Sequence, residues 1–243
     1  MKRHSDYDNL FVVDHPLVQH SINLMRSKDC PHFQYRACMK QISTLMAYEA
    51  VRVMPLPVRR EEIDTHTSSG RTFQFIASEH IALIAVMRAA IIMAATIHEL
   101  FPGAPFGHVG IVRDPNGKTP NRYYQNLPPL DRKLCLVLDP VIATGATMCA
   151  LLREILDEMN DVDANLSRVC VISALSSHEG ITRIQREFPA KDHEGFTIVT
   201  ASIEEALDIK NRLVPGIGDA GDRLYKTEGS LPEYPHHEEI RHD

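Results

Sequence analysis

Near-continuous apolar runs recur along the chain at 81–86, 107–112, 134–138, 168–175 and 196–201. Unbroken rather than alternating runs are the pattern of strands covered on both faces. Helical stretches lie between several of them, over 91–100, 146–159 ("ATMCALLREILDEM") and 178–188 ("HEGITRIQREF"). Strands alternating with helices predict crossover units and a parallel sheet, an α/β fold. Upstream, "ACMKQISTLMAYEAV" places Ile42, Leu45, Met46 and Ala50 on one helical face, continued by Val53. Two prolines in "VMPLPV" then stop the helix.

Residues 81–97, "IALIAVMRAAIIMAATI", imitate a membrane span. The stretch has 17 residues with Arg88 at its centre, short of the ~20 clean apolar residues that a spanning helix needs. It reads better as a buried strand, a turn over 87–90 and a helix. That reading leaves a cation at a strand end surrounded by core, where it should pair with an anion. A second departure from the alternation is "IVRDPNGKTPNRYYQNL", in which Asn116-Gly117 signals a two-residue hairpin turn. Such an arm either closes over a site or is a plain surface hairpin. Residues 1–10 are polar and expected to be loose, and residues 228–243 ("EGSLPEYPHHEEIRHD") are expected to be disordered. His236-His237 in that tail reads as exposed rather than metal-binding.

Composition narrows the function classes. The chain has 243 residues, 44% of them hydrophobic, enough to bury a full core. A net charge of −6 argues against nucleic acid as a partner. Five cysteines, Cys30, Cys38, Cys135, Cys149 and Cys170, form no C-x-x-C pair. They predict a reducing compartment, with no disulfide framework and no structural zinc. The start "MKRHSDYDNL" has no secretory apolar core, so a cytoplasmic protein without a membrane segment is the expectation.

The chemistry concentrates in "CLVLDPVIATGATMCALL", residues 135–152. Ligands of open parallel sheets bind at the carboxyl ends of strands, and Asp139 sits at such an end. Residues Ala143, Thr144, Gly145, Ala146 and Thr147 then form a turn of small side chains leading into a helix. Unpaired N–H groups at a helix start suit a phosphate, and Thr144 and Thr147 add hydroxyl donors. The spacing is not that of a Walker loop, and the turn has no lysine. An acid able to accept from two sugar hydroxyls, followed by a phosphate cradle, suggests a ribose 5-phosphate site. An ordinary capped helix is the competing account.

"LVLDPVIATGAT" resembles the phosphoribosyl diphosphate signature of the uracil phosphoribosyltransferases. "DHPLVQH", "LMAYEAVR", "GHVGIVRD" and "LVPGIGDAGDR" resemble further stretches of that family in the same order. The resemblance covers residues 10–227, and the last stretch is its most specific piece. It implies a Rossmann-like parallel-sheet core flanked by helices, with a small hood and a β-hairpin flap. A single domain would span 11–227, with the flap at about 111–125 and the uracil loop of the hood at about 211–223. The implied reaction joins uracil to the ribose 5-phosphate of phosphoribosyl diphosphate, giving UMP and diphosphate.

By the same resemblance, Asp139 contacts the ribose hydroxyls, and Pro140, Val141, Ile142 and the 143–147 turn hold the 5-phosphate side. Arg88 and Ala89 lie in the pyrophosphate loop. Arg113 meets the pyrophosphate at the foot of the flap, beside Asp114. Leu213, Gly218, Asp219 and Ala220 recognise uracil, and Asp219 also reaches the phosphoribosyl group. Asp139, Asp219, Arg88 and Arg113 form the implied catalytic set, with no protein nucleophile and no direct metal ligand. Mg²⁺ comes with the diphosphate. A homodimer or homotetramer and a GTP effector complete the implied picture.

Three positions depart from the family pattern. The pyrophosphate loop reads Arg88-Ala89-Ala90 where its third residue is commonly glycine. Ala146 follows Gly145 where a second glycine is common, and Arg212 stands where tyrosine is common. A methyl at Ala90 would be costly if the position needs positive φ or close ligand approach. The alternative to an active enzyme is thus a catalytically weakened paralogue that binds uracil, UMP or phosphoribosyl diphosphate as a regulator. An RNA-binding regulator is a third reading, disfavoured by the acidic balance.

Overall fold

The computed structural model describes residues 1–113, 120–159, 168–189, 192 and 196–227, without the side chains of 112, 113, 120 and 121. The chain opens with β1 (Lys2–Arg3), β2 (Leu10–Val12), α1 (Pro16–Arg26) and α2 (His32–Ala50). A ribbon of β3 (Val58–Ile63) and β4 (Arg71–Ile76) follows. The alternating part begins with β5 (Ile81–Met87), α3 (Ile91–His98), β6 (Phe106–Arg113) and β7 (Pro120–Asn126). It continues through β8 (Leu134–Leu138), β9 (Val141–Ile142), α4 (Ala146–Glu158), β10 (Val169–Ser177), α5 (His178–Glu187) and β11 (Thr197–Glu204). β12 (Ala206–Leu207), β13 (Leu213–Val214) and α6 (Ala220–Tyr225) end the described chain.

All five apolar runs become strands of one sheet, ordered β1-β2-β11-β10-β8-β5-β6-β7, with β9 adding to β10. Every pairing from β2 to β6 is parallel, and only the edge strands β1 and β7 run antiparallel. The connection β5-α3-β6 steps one way along this order, whereas β8-α4-β10 and β10-α5-β11 step the other. Right-handed crossovers therefore put α3 on one face and α4 and α5 on the opposite face. The packing agrees: α2 lies against α1 and α3, while α4 lies against α5. With helices on both faces, β8 and β10 are buried along their whole lengths, which is why their sequences do not alternate. No described helix is long and apolar enough to cross a membrane. The span-like stretch divides into β5, a turn and the eight-residue α3.

Three features differ from the sequence expectations. The first ten residues are not loose: Lys2 pairs with Val12 and Arg3 with Phe11, and Leu10 is fully buried in β2. The tie is short range, because Lys2 Nζ reaches Asp14 at 2.7 Å. The β3–β4 ribbon was not anticipated: it mixes polar residues with Val58, Ile63, Phe73, Phe75 and Ile76, almost all of them exposed. The arms of the 111–125 hairpin are β6 and β7, which pair back to His108↔Asn126. Its tip, including Asp114 and Asn116-Gly117, lies outside the described residues, as does the 228–243 tail with His236-His237.

The C-terminal segment is fastened to α1 by a buried ion pair. Arg26, in the last turn of α1, donates to both oxygens of Glu204 at 2.7 Å, and the Glu204 side chain is 1% exposed. Ser202 Oγ and the Gly216 N–H donate to the same carboxylate, each at 2.8 Å. Arg26 also donates to the Gly216 carbonyl at 2.9 Å. One carboxylate thus fixes the end of β11, the end of α1 and the loop after β13. Burial alone would raise the Glu204 pKa, but the hydrogen bonds from Arg26, Gly216 and Ser202 outweigh it and hold it below the usual 4.5.

Its stabilising share is complete above the unfolded value of 4.5 and is lost as pH falls through the lower folded value. Glu204→Gln should lower unfolding free energy at neutral pH by about 3 kcal/mol, because Arg26 loses its buried counter-ion. Urea unfolding checks this. The same series run toward acid should show a smaller loss of stability for the variant than for the parent.

Candidate active site

The connections step away from β5 and β8 in opposite senses along the parallel sheet, so the carboxyl-end loops of these two strands diverge to opposite faces, and such a switch point is where α/β sheets hold ligands. A cleft of about 350 Å³ opens there, within the usual range for small-molecule sites. Arg88 and Ala89 after β5, and Asp139, Pro140, Val141, Ala143 and Thr147 after β8, line it. Leu213, Gly218, Asp219 and Ala220 close it from the C-terminal side. A small recess of about 30 Å³ beside Asp139 is lined by Ile142, Ala143, Gly145 and Thr147. Thr144 and Ala146 line neither space. Arg113 ends β6 opposite Pro120, and its side chain is outside the described residues.

The 143–147 turn has the conformation an anion cradle needs. Gly145 is the N-cap of α4 with φ 74°, and α4 begins at Ala146. The first-turn N–H groups of α4 lack intrahelical acceptors and face the recess end of the helix. Asp139 receives the Val141 N–H at 3.2 Å, which turns the chain sharply after the strand.

A second segment holds this turn, and the sequence reading missed it. Ser177 caps α5, accepting the Gly180 N–H at 2.8 Å, and its hydroxyl donates to the Ala143 carbonyl. A methyl on Gly145 would stand 2.6 Å from the Gly180 carbonyl oxygen, and one on Gly180 would overlap the Ala143 carbonyl. The two glycines let the turn lie directly on the start of α5. The available signal was the serine-to-glycine spacing at a strand-to-helix junction, "SHEG", which is an N-cap pattern.

Arg88 is not enclosed by core, contrary to the expectation. Its side chain is 52% exposed at the cleft and pairs with Asp222 of α6 at 3.1 Å. The expected anion thus comes from the C-terminal segment, and Tyr225 Oη donates to the Arg88 carbonyl at 3.1 Å. Ala90 has φ −77° and is fully buried as the N-cap of α3. No positive φ is required there, and its methyl packs into the core rather than toward the cleft.

The loop from 211 to 223 is braced along its length. Arg212 lines the cleft, but its guanidinium is held by Asp208 at 2.7 Å, and Asp208 also accepts the N–H groups of Lys210 and Arg212 at 2.8 Å. These contacts, the backbone bonds first among them, hold the Asp208 carboxyl below its usual range. Asp219 caps α6, accepting the Asp222 N–H at 2.9 Å. Arg223 donates to Ile217 O and to Ser27 O, each at 2.7 Å, and lies 4.4 Å over the Tyr35 ring. Tyr35 Oη donates to Ile217 O, and Arg36 donates to Leu224 O. Ile111, Tyr123, Asn211 and Ile217 also line the cleft and were not picked out from the sequence. Among the described residues no group of three or more His, Cys, Asp and Glu could hold a metal.

Gly180→Ala should push the 143–145 backbone away from α5 and lower stability by about 1–3 kcal/mol in urea unfolding. Ala90→Gly removes a buried methyl and should lower it by about 1 kcal/mol. Unchanged stability in either variant would contradict the packing described.

The chain is similar to known proteins over most of its length. The uracil phosphoribosyltransferase family profile matches residues 12–227. A uracil phosphoribosyltransferase of Alkaliphilus metalliredigens is 38% identical over 220 residues, 90% of this chain and 98% of that protein. The one from Thermus thermophilus is 36% identical over 217 residues, 89% of this chain and 98% of its own. A solved protein from Aquifex aeolicus superposes with a TM-score of 0.79 at 29% identity, covering 90% of this chain and 98% of that one. Adenine phosphoribosyltransferase from Trypanosoma brucei shares the fold, with a TM-score of 0.51 at 15% identity over 87% of this chain and 90% of that one. The chain belongs to the uracil phosphoribosyltransferase family, enzymes of the pentosyl-transferring glycosyltransferase class.

Proposed function

We propose that this enzyme joins uracil to the ribose 5-phosphate of phosphoribosyl diphosphate, forming UMP and diphosphate in pyrimidine salvage. The observation that carries the reading is the convergence of three parts on one cleft. These are the strand-end acid Asp139 with its phosphate turn, the Arg88 loop, and the 213–220 loop. Asp139 would accept the ribose hydroxyls, and the 143–147 turn would receive the 5-phosphate at the start of α4. That arrangement fixes the anomeric carbon between the Arg88 loop and the uracil loop.

Uracil presents two carbonyl acceptors flanking a ring N–H. Backbone groups of Leu213, Gly218 and Ala220 can match that pattern, and cytosine, whose amino group replaces an acceptor, would leave a donor facing a donor. As the bond to diphosphate breaks, negative charge builds on the leaving group and positive character on the anomeric carbon. Arg88 and Arg113 would stabilise the former. The other ring nitrogen, N1, bonds to the anomeric carbon and loses its proton, which Asp219 would accept through water. The β6–β7 hairpin brings Ile111 and Tyr123 to the cleft wall, a position from which it would exclude water as a competing nucleophile.

Mg²⁺ fits this site as part of the substrate. Magnesium takes few protein carboxylates and several phosphate and water oxygens, and among the described residues Asp139 and Asp219 line the cleft without a denser cluster. Bound to the diphosphate, it would neutralise charge on the leaving group.

The test is an assay of purified protein with labelled uracil, phosphoribosyl diphosphate and Mg²⁺, with cytosine and hypoxanthine in parallel. UMP from uracil alone is the expected result, and no product from uracil would overturn the reading. Asp139→Asn should reduce turnover on the order of 10²-fold if the acid orients ribose at the transition state. A rate near that of the parent would remove that role.

A further inference from the structure

We infer that Asp222 is a positioning residue that occupies the Arg88 guanidinium before diphosphate arrives and then competes with diphosphate for it. The inference rests on the proposed role of Arg88 at the leaving group. Arg88 belongs to the loop after β5 and Asp222 to α6, so the pair joins opposite walls of the cleft. The contact is 3.1 Å from Nη2 to Oδ1, with side chains 52% and 34% exposed. Thr227 Oγ1 donates to the same Asp222 oxygen at 2.6 Å and lies 3.4 Å from Arg88 Nη1. Among the described residues, the Arg88 side chain has these two partners and no others.

A carboxylate this close to a diphosphate site has two opposing effects. It prevents the cation from pointing away into solvent, and it repels the incoming anion until the guanidinium is shared or released. Because both side chains are partly solvated, the coupling is modest, as for exposed ion pairs generally. Asp222 also receives the tie from the other end of the site: its N–H is bound by Asp219 Oδ1, and a methyl on the intervening Gly221 would stand 3.7 Å from Arg88 Nη2. Release of Arg88 by Asp222 would therefore be felt at the first turn of α6, next to the uracil loop.

The experiment is calorimetric titration of the full chain with inorganic pyrophosphate and Mg²⁺. D222N should bind pyrophosphate about two- to five-fold tighter than the parent, the range an exposed ion pair supports. A role limited to holding α6 together would instead weaken binding. Unchanged or weaker binding overturns the inference. D222A, expected to act in the same direction, replaces D222N if circular dichroism shows that D222N has lost the fold.

R88Q and the double variant R88Q/D222N separate the layers of the argument. R88Q should weaken binding, and adding D222N to it should then change nothing further. Tightening of equal size in the R88Q background would show that Asp222 acts by general repulsion and not through Arg88, which overturns the inference alone. No effect of R88Q would overturn the assigned role of Arg88 and the inference with it.

Discussion

The right-handed crossover is the constraint from which the site follows. A chain that builds its sheet outward from β5 through α3 to β6 must, on returning to the other side with β8, place the next helix on the opposite face. The loops after β5 and β8 then part, and the space between them cannot be filled by either helix. Asp139 and Arg88 face that space because they are the first polar residues past two fully apolar strands. The cleft is a result of connectivity, and the polar residues at its rim are what two buried strands deliver to their ends.

Two sets of contacts make that opening into a defined site. At the 143–147 turn, Gly145 and Gly180 allow the chain to rest on the start of α5, and Ser177 bonds to Ala143 O and to the Gly180 N–H. On the C-terminal side of the cleft, Glu204, Arg26 and Arg223 bind the backbone of the loop to α1. Neither set lines the cleft. Each ties a loop backbone with hydrogen bonds, neutral ones from Ser177 in the first set and charge-assisted ones in the second, which reduces the freedom that a ligand would otherwise have to remove on binding.

The departures from the family pattern look different once placed. Ala90 has ordinary helical φ and directs its methyl inward, so the extra carbon meets core rather than ligand. Arg212 is restrained at the rim by Asp208, and the pair works as a local brace. The reason to suspect a weakened site at the pyrophosphate loop is thereby removed in geometric terms.

The sequence by itself determined the parallel α/β plan, because strands buried on both faces must be apolar throughout and the helices between them must carry the crossovers. It also marked the carboxylate and the turn of small hydroxyl residues at the end of a buried run, and the structure brings Asp139, Ala143 and Thr147 to the cleft. Motif resemblance singled out the 211–223 loop, which no periodicity marks and which lines the cleft. Edge strand β1 was illegible because its two exposed residues carry no apolar pattern, and the β3–β4 ribbon because its apolar residues stay largely exposed and form no near-continuous run. Only the tertiary structure decided the partners: Glu204 with Arg26, 178 positions apart, and Arg88 with Asp222, 134 apart. A charged side chain records in sequence that it needs a counter-ion, but folding alone selects which of many distant charges will supply it.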